Sequence, residues 1–243
     1  MLVLYDDFGW EGPYVGQVKA VLAHLAPGIP VLDLMHDAPA FEPRASGYLL
    51  AALLPEMPPG CTVFAVIDPG VGSARRSVVL EADGRLLVAP HNGLLDPVAR
   101  RAHKHRFWEI SWQPKEISAS FHGRDLFAPV AAKLAMGQSP EMAGCVPLTH
   151  SVRDVPADWP RVIYVDHFGN LVTGIRARQM RRNRNLVVAG YVIRPARTFS
   201  DVAPGEAFWY ENSNGLVEIA VNQGYADEEL EIDIGEFIEP QSV

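Results

Sequence analysis

An α/β N-terminal domain with a mostly parallel central sheet, followed by a smaller, antiparallel β-rich C-terminal domain, is the architecture this chain of 243 residues predicts. Three features point there. Up to about residue 135, apolar positions alternate between strand-like runs and helical spacing. From Gly137 to Pro160 a Pro- and Gly-bearing stretch breaks that texture. Beyond it come short runs of β-branched and aromatic residues with a single brief helical piece. The domains are accordingly 1–150 and 151–243.

The elements follow in order. Leu2–Tyr5 reads as a short buried strand, and Tyr14, Val18, Val21, Leu22 and Leu25 recur at the spacing of a helix that Pro27-Gly28 stops. Val31–Met35 is a second strand. Ala45–Leu54, dense in Ala and Leu, is a helix closed by Pro55, Pro58 and Pro59. Thr62–Ile67 is a third strand. Ser77–Leu80 and Leu86–Ala89 flank Asp83-Gly84, a dipeptide suited to the left-handed positions of a tight hairpin. Helices are predicted over Leu94–Ala102 and Asp125–Met136. In parallel sheets ligands bind beyond the carboxyl ends of the strands, where Asp7 and Asp68 fall. In the second domain strands are predicted at Arg161–Val165, Leu171–Ile175, Leu186–Ile193, Phe208–Tyr210, Val217–Val221 and Leu230–Ile234, with a helical piece near Arg176–Arg182.

Composition narrows the partners. With 48% hydrophobic residues the chain can build a substantial core, and its net charge of −8 disfavours nucleic acid or an anionic membrane as main partner. A cationic ligand is mildly favoured. The longest apolar run, Tyr48–Leu54, is far shorter than the ~20 residues of a membrane span. The chain enters strand-like sequence at once, without a basic leader, and Cys61 and Cys145 lack C-x-x-C spacing. A cytoplasmic protein with reduced cysteines is therefore expected. Arg176, Arg178, Arg181, Arg182 and Arg184 lack interleaved aromatics and read as a solvated face or subunit contact.

The densest chemistry lies in Val66-Ile67-Asp68-Pro69-Gly70-Val71-Gly72-Ser73-Ala74-Arg75-Arg76. A carboxylate and a guanidinium at the end of a buried strand are costly unless paired or used. Phe121-His122-Gly123-Arg124-Asp125 and Asp166-His167-Phe168-Gly169-Asn170 are similarly polar. Singly, each motif leaves two readings open. Asp68 and Arg75 suit an ion pair bracing a turn as well as a site, and His122 suits an ordinary structural histidine. No G-x-x-x-x-G-K-[ST], G-x-S-x-G or H-E-x-x-H occurs, and no Cys/His set predicts a metal.

Joint occurrence is more specific. Asp7-Phe8-Gly9, Tyr14-Val15-Gly16, Asp33-Leu34-Met35-His36, Val66–Ser73, Asn92-Gly93-Leu94-Leu95, Phe121–Asp125, Asp166–Asn170 and Asn212-Ser213-Asn214-Gly215 span nearly the whole chain. As an ordered set they resemble the S-adenosyl-L-methionine hydroxide adenosyltransferases, relatives of the bacterial fluorinase and chlorinase. The resemblance implies the two-domain fold and a homotrimer, each active site lying between the N-terminal domain of one subunit and the C-terminal domain of its neighbour. It implies hydrolysis of S-adenosyl-L-methionine to adenosine and L-methionine by attack of water or hydroxide on ribose C5′, with no metal and no separate cofactor.

The same resemblance implies a catalytic trio of Asp68, Arg75 and His122, with the proton acceptor open between Asp68 and His122. Arg75 would stabilise hydroxide character on the bound water. Asp7 would accept the ribose hydroxyls, Asp166 the methionine ammonium, and Ser213 would bind its carboxylate. Asn170 would meet the adenine edge, with Phe168 and Phe199 on its ring; both aromatics fit plain core positions equally well. The chain departs from the family at Gly12, where an acid often helps hold the ammonium and Glu11 is the nearest substitute. It departs again at His91, where the family usually carries Asp. The halogenases have an aromatic hydroxyl residue at position 68 and a serine at 123, whereas the Asp68 carboxylate would repel halide. Two other readings are a halide-dependent adenosyl transferase and a non-catalytic adenosine-binding module.

Overall fold

Fourteen strands, among the described residues 1–241 of the computed structural model, form two sheets of seven. The chain divides into two units: Met1–Leu50 with Leu54–Val155, and Ala51–Leu53 with the chain from Pro156 onward.

The first unit runs β1 (Leu2–Asp6), α1 (Tyr14–Leu25), β2 (Val31–Met35), α2 (Pro43–Leu53), β3 (Thr62–Val66), β4 (Ser77–Ala82) and β5 (Arg85–Pro90). It continues through α3 (Asp96–Arg101), β6 (His105–Ile110), α4 (Ala128–Ala135) and β7 (Cys145–Leu148). Strand order is β2-β1-β3-β5-β4-β6-β7. From β2 to β5 the pairings are parallel, and from β5 to β7 antiparallel, so the expectation of a mostly parallel sheet is corrected to a mixed one. The Asp83-Gly84 turn, with both residues left-handed (φ 46° and 81°), folds β4 back on β5. β6 then pairs along the other edge of β4, burying Phe107, Trp108 and Ile110. Its start, His105-Arg106, is exposed and hides the strand from a reading by hydrophobic pattern.

Period-two alternation places Leu2 and Leu4 of β1, Phe64 and Val66 of β3, Val79, Val88 and Trp108 in one core. Val18 and Leu22 of α1, and Val130, Ala131 and Leu134 of α4, cover it. Each large side chain fully buried there contributes about 1.5–3 kcal/mol. A π-helical turn, Gly123–Phe127, leads into α4 and starts immediately after His122. Such turns are frequent at functional sites.

The second unit runs β8 (Trp159–Val165), β9 (Leu171–Arg176), β10 (Leu186–Val188), β11 (Tyr191–Pro195), β12 (Ala207–Glu211), β13 (Leu216–Val221), α5 (Ala226–Leu230) and β14 (Ile238–Pro240). Its order is β14-β10-β11-β12-β13-β9-β8, antiparallel except where β11 and β12 run parallel. The expectation of an antiparallel sheet is therefore also corrected to mixed, and this sheet has as many strands as the first. The strand predicted at Leu186–Ile193 is a hairpin, reversed at Ala189-Gly190, both left-handed (φ 47° and 85°). The strand predicted at Leu230–Ile234 does not form. Asp227, Glu228 and Glu229 occupy the first turn of α5, favourable to a helix dipole, and Glu231 ends it in the left-handed region. No helix among the described residues is long and apolar enough to cross a membrane. Cys61 and Cys145 are buried free thiols, and burial pushes Cys145 up to about 11.

Candidate active site

Parallel pairing places the candidate residues of the first unit. β1 and β3 are neighbours in register to Asp6↔Val66, so Asp7 and Asp68 leave adjacent strand ends. After Asp68 the chain turns sharply, with Val71 N–H donating to the Asp68 carbonyl (3.2 Å) and Ser73 N–H to that of Gly70 (3.1 Å). Gly72 is left-handed (φ 81°), and a Cβ there would stand 2.6 Å from the carbonyl oxygen of Ala119. Only glycine lets this turn approach the segment that carries His122 so closely.

The turn returns Arg75 onto Asp68. Arg75 Nε donates to Asp68 Oδ1 (2.6 Å) and Nη2 to Oδ2, a bidentate pair in which the two side chains are 10% and 7% exposed. Arg75 Nη1 donates to Ser77 Oγ (3.1 Å) and to the Arg76 carbonyl (3.3 Å), while the guanidinium lies 5.3 Å over the buried Phe127 ring. His122 Nδ1 approaches Arg75 Nη2 at 3.4 Å. Burial, and next the Arg75 charge, hold His122 below the ordinary imidazole value, against a smaller pull from Asp68 and Asp125. His122 is therefore neutral near pH 7. Asp125 is occupied elsewhere, by Arg124 (2.6 and 3.0 Å) and by the Ser118 N–H (2.8 Å).

Asp7 completes this group. Burial pushes its carboxyl up, and the neighbouring charges of Asp6 and Asp68 add to that. Its Oδ2 accepts the Phe41 N–H at 3.4 Å. Phe8 packs edge-on against Phe121, centroids 5.6 Å apart, joining the Asp7 loop to the His122 loop. The first unit thus brings Asp7, Asp68, Arg75 and His122 together. Sequence reasoning missed Phe41, which is 75% exposed and left-handed (φ 62°), an uncommon state for a bulky residue. The available signal was a lone aromatic in a loop flanked by Pro39 and Pro43.

Asn92 braces the same strand end. Asn92 Nδ2 donates to the Ile67 carbonyl (2.9 Å), one residue before Asp68. His91 Nε2 lies 3.4 Å from His150 Nδ1, and His150 Nε2 lies 2.8 Å from Asp96 Oδ1.

In the second unit Asp166 closes its own turn. Its Oδ1 accepts the Phe168 N–H (2.8 Å) and the Asn170 N–H (2.9 Å), and its Oδ2 accepts Asn170 Nδ2 (3.0 Å). Asn170 is buried, whereas Phe168 is 68% exposed and so is not a core residue. Phe199 is half-buried against Phe208 and Tyr210, centroids 5.1 and 5.4 Å away. Ser213 is exposed in the turn between β12 and β13, where Asn212 Oδ1 accepts the N–H groups of Asn214 and Leu216, each at 3.0 Å.

A buried acid supports both. Glu218 Oε2 accepts Asn212 Nδ2 (2.7 Å) and Oε1 accepts the Tyr210 hydroxyl. Burial raises the Glu218 carboxyl, and the Asp166 charge raises it further. Burial, and then Glu218, push the Tyr210 hydroxyl far above its usual value. Asp166, Phe168 and Asn170 thus share one turn, and Phe199 and Ser213 connect to its surroundings through Tyr210 and Glu218. Sequence reasoning missed Tyr210, Asn212 and Glu218. The acid within the otherwise apolar Leu-Val-Glu-Ile-Ala-Val of β13 was the available signal.

Among the described residues no cluster of three or more His, Cys, Asp or Glu is arranged to hold a metal ion. The family models for the SAM hydroxide adenosyltransferase N-terminal and C-terminal domains match residues 2–144 and 160–239. The chain is 41% identical over 244 residues to an (R)-S-adenosyl-L-methionine hydrolase of Thermus thermophilus, covering 93% of each. A fluorinase of an Actinoplanes species is more distant, 24% identical over 271 residues and 91% of each chain. A crystal structure of a conserved protein from Thermotoga maritima superposes with a TM-score of 0.90 at 32% identity, covering 99% of this chain and 100% of that one.

Proposed function

The chain belongs to the S-adenosyl-L-methionine hydroxide adenosyltransferase family, and we infer from that membership that it hydrolyses S-adenosyl-L-methionine to adenosine and L-methionine. Water attacks ribose C5′. The C5′–O bond forms as the C5′–S bond breaks, sulfur keeps the bonding pair and leaves as a neutral thioether, and one proton is released. A sulfonium leaves readily without a general acid, so the burden falls on orienting a desolvated oxygen nucleophile, worth up to about 7–11 kcal/mol. The name of the Thermus relative specifies the (R) sulfur, and we extend that preference to this chain.

The carrying observation is Arg75, fixed between Asp68 and His122. Its permanent charge favours hydroxide character on a water held there. With Nδ1 turned to the guanidinium, the neutral His122 ring carries its hydrogen on Nε2 and serves as a donor to the nucleophile. Asp68 is then the proton acceptor. The first product of attack by water is a protonated alcohol, a far stronger acid than any carboxylic acid, so an ionised carboxylate suffices even when paired.

Asp7 takes the ribose hydroxyls, Asp166 the methionine ammonium and Ser213 the carboxylate. Asn170, its amide nitrogen already given to Asp166, keeps a carbonyl oxygen for the adenine edge, and exposed Phe168 with half-buried Phe199 supplies the ring contacts. The reaction calls on no further cofactor. The reading extends to domains 1–150 and 151–243 and to a cytoplasmic homotrimer pairing the Asp68 set of one subunit with the Asp166 set of its neighbour.

Gly123 offers no hydroxyl where the halogenases carry a serine, and the Asp68 carboxylate would repel halide, both of which disfavour the halide alternative. Incubation with each sulfur epimer, with and without fluoride or chloride, tests the reading. Equal amounts of adenosine and methionine are expected. Formation of 5′-halo-adenosine would establish the halide reaction instead, and adenosine binding without methionine release would establish a binding module.

A further inference from the structure

Behind Asp7 lies a set of ionisable groups that the chemistry itself does not use. Asp6 ends β1 and His36 follows β2, and they are 1% and 0% exposed. His36 Nδ1 sits 2.9 and 3.0 Å from the two Asp6 carboxylate oxygens. Its Nε2 lies 3.2 Å from Asp33 Oδ1, within ion-pair range but too misaligned for a hydrogen bond. Asp33 Oδ2 in turn accepts from Lys19 Nζ of α1 at 2.9 Å, and Trp10 stacks edge-on over the imidazole, centroids 4.5 Å apart.

Both ring nitrogens therefore face carboxylates. A neutral imidazole donates from one nitrogen only, so two flanking carboxylates select the doubly protonated ring. Burial pulls His36 down, yet Asp6 and then Asp33 outweigh it and hold the ring above its ordinary value. Charge alternates through Asp6, His36, Asp33 and Lys19, the arrangement a buried ion set needs in order to persist.

The same residues fix the backbone that carries Asp7. The Asp6 carbonyl accepts the Ala38 N–H (3.2 Å), the His36 carbonyl accepts the Gly9 N–H (2.6 Å), and Asp6 Oδ1 accepts the Phe8 N–H (3.2 Å). Asp7 is bracketed on both sides, and the segment after His36 supplies the Phe41 N–H that reaches its carboxylate. We propose that His36, clamped between Asp6 and Asp33, is a positioning residue that sets the Asp7 carboxylate for the ribose hydroxyls and thereby makes the site selective for ribonucleosides over 2′-deoxyribonucleosides. This rests on the reading of Asp7 as the ribose acceptor.

Calorimetry on the full chain with adenosine and with 2′-deoxyadenosine tests it. The unaltered protein is expected to prefer adenosine by about 10–100-fold, the worth of one hydrogen bond to a charged group. In His36→Leu the preference should fall below about threefold, with adenosine weakened and 2′-deoxyadenosine hardly changed. His36→Asn, which keeps an N–H toward Asp6, should recover most of it. Asp33→Asn, at a partly exposed position, should lose about threefold and supplies the reading should His36→Leu not fold. Undiminished preference in the variants, or equal weakening of both ligands, overturns the proposal alone. No preference in the unaltered protein overturns the reading of Asp7 and the proposal with it.

Discussion

Two Asp–His clusters stand at the exits of adjoining parallel strands, and their histidines shift in opposite directions. Beyond β3, an arginine stands between Asp68 and His122, and burial together with that fixed cation leaves the ring neutral. Beyond β1 and β2, His36 meets two carboxylates with no arginine between them, and the ring itself becomes the cation. The first cluster has a permanent charge and a half-buried neutral donor for a ligand to use. The second spends all its polar capacity on the protein. The difference lies in who supplies the positive charge.

The widest separation between the clusters should appear on removing a carboxylate. Asp68→Ala is expected to lower turnover by about 10³-fold while adenosine affinity by calorimetry stays largely intact. A turnover within a few fold of the unaltered protein would remove Asp68 from the chemistry. His36→Leu, besides its effect on ribose preference, should cost about 3–5 kcal/mol in urea unfolding near pH 6, because it strands Asp6 in the core. Since the folded pKa of His36 is raised above the ordinary 6.5, its stabilising effect is full below pH 6.5 and fades as pH climbs through the raised value. Followed by NMR, the His36 imidazole should titrate above that ordinary value; a midpoint at or below it contradicts a charged His36.

His122 sharpens the contrast through its donor role. His122→Ala should cost about 10²-fold in kcat, and His122→Asn, which retains an N–H, about tenfold or less. The kcat/KM profile should be level at neutral pH and fall below 6.5, where a protonated ring adds a second cation beside Arg75 and repels the sulfonium. The Asn variant should lack that acid limb. Equal losses in both variants would make His122 the proton acceptor. The smallest effect is expected at Glu218→Ala, about 1–3 kcal/mol of stability from leaving Tyr210 and Asn212 without their acceptor.

The same comparison marks what the amino-acid sequence can disclose. Asp68 and Arg75 were legible because a strand ends in a Pro/Gly turn just long enough to bring the second residue back to the first. The Asp83-Gly84 hairpin was legible from local turn chemistry. Asp6 and Asp7 are the same letter side by side, and only strand register separates a buried anchor from a partly exposed carboxylate. Phe41 reaches Asp7 through its peptide N–H, which any residue but proline could offer. β6 was hidden by its exposed, basic start, and the Leu230–Ile234 alternation imitated a strand although Leu230 closes a helical turn. Long-range pairing decided β6 and the separation of Asp6 from Asp7, whereas a local helical start at Asp227–Glu229 decided Leu230–Ile234.

Displacement at C5′ by a solvent oxygen, as proposed for Asp68, Arg75 and His122, leaves an isotopic record in the product. Turnover of S-adenosyl-L-methionine in oxygen-18 water, with mass analysis of the adenosine, reads that record. One labelled oxygen is expected in the 5′-hydroxyl, and adenosine released without label would rule out attack by solvent at C5′.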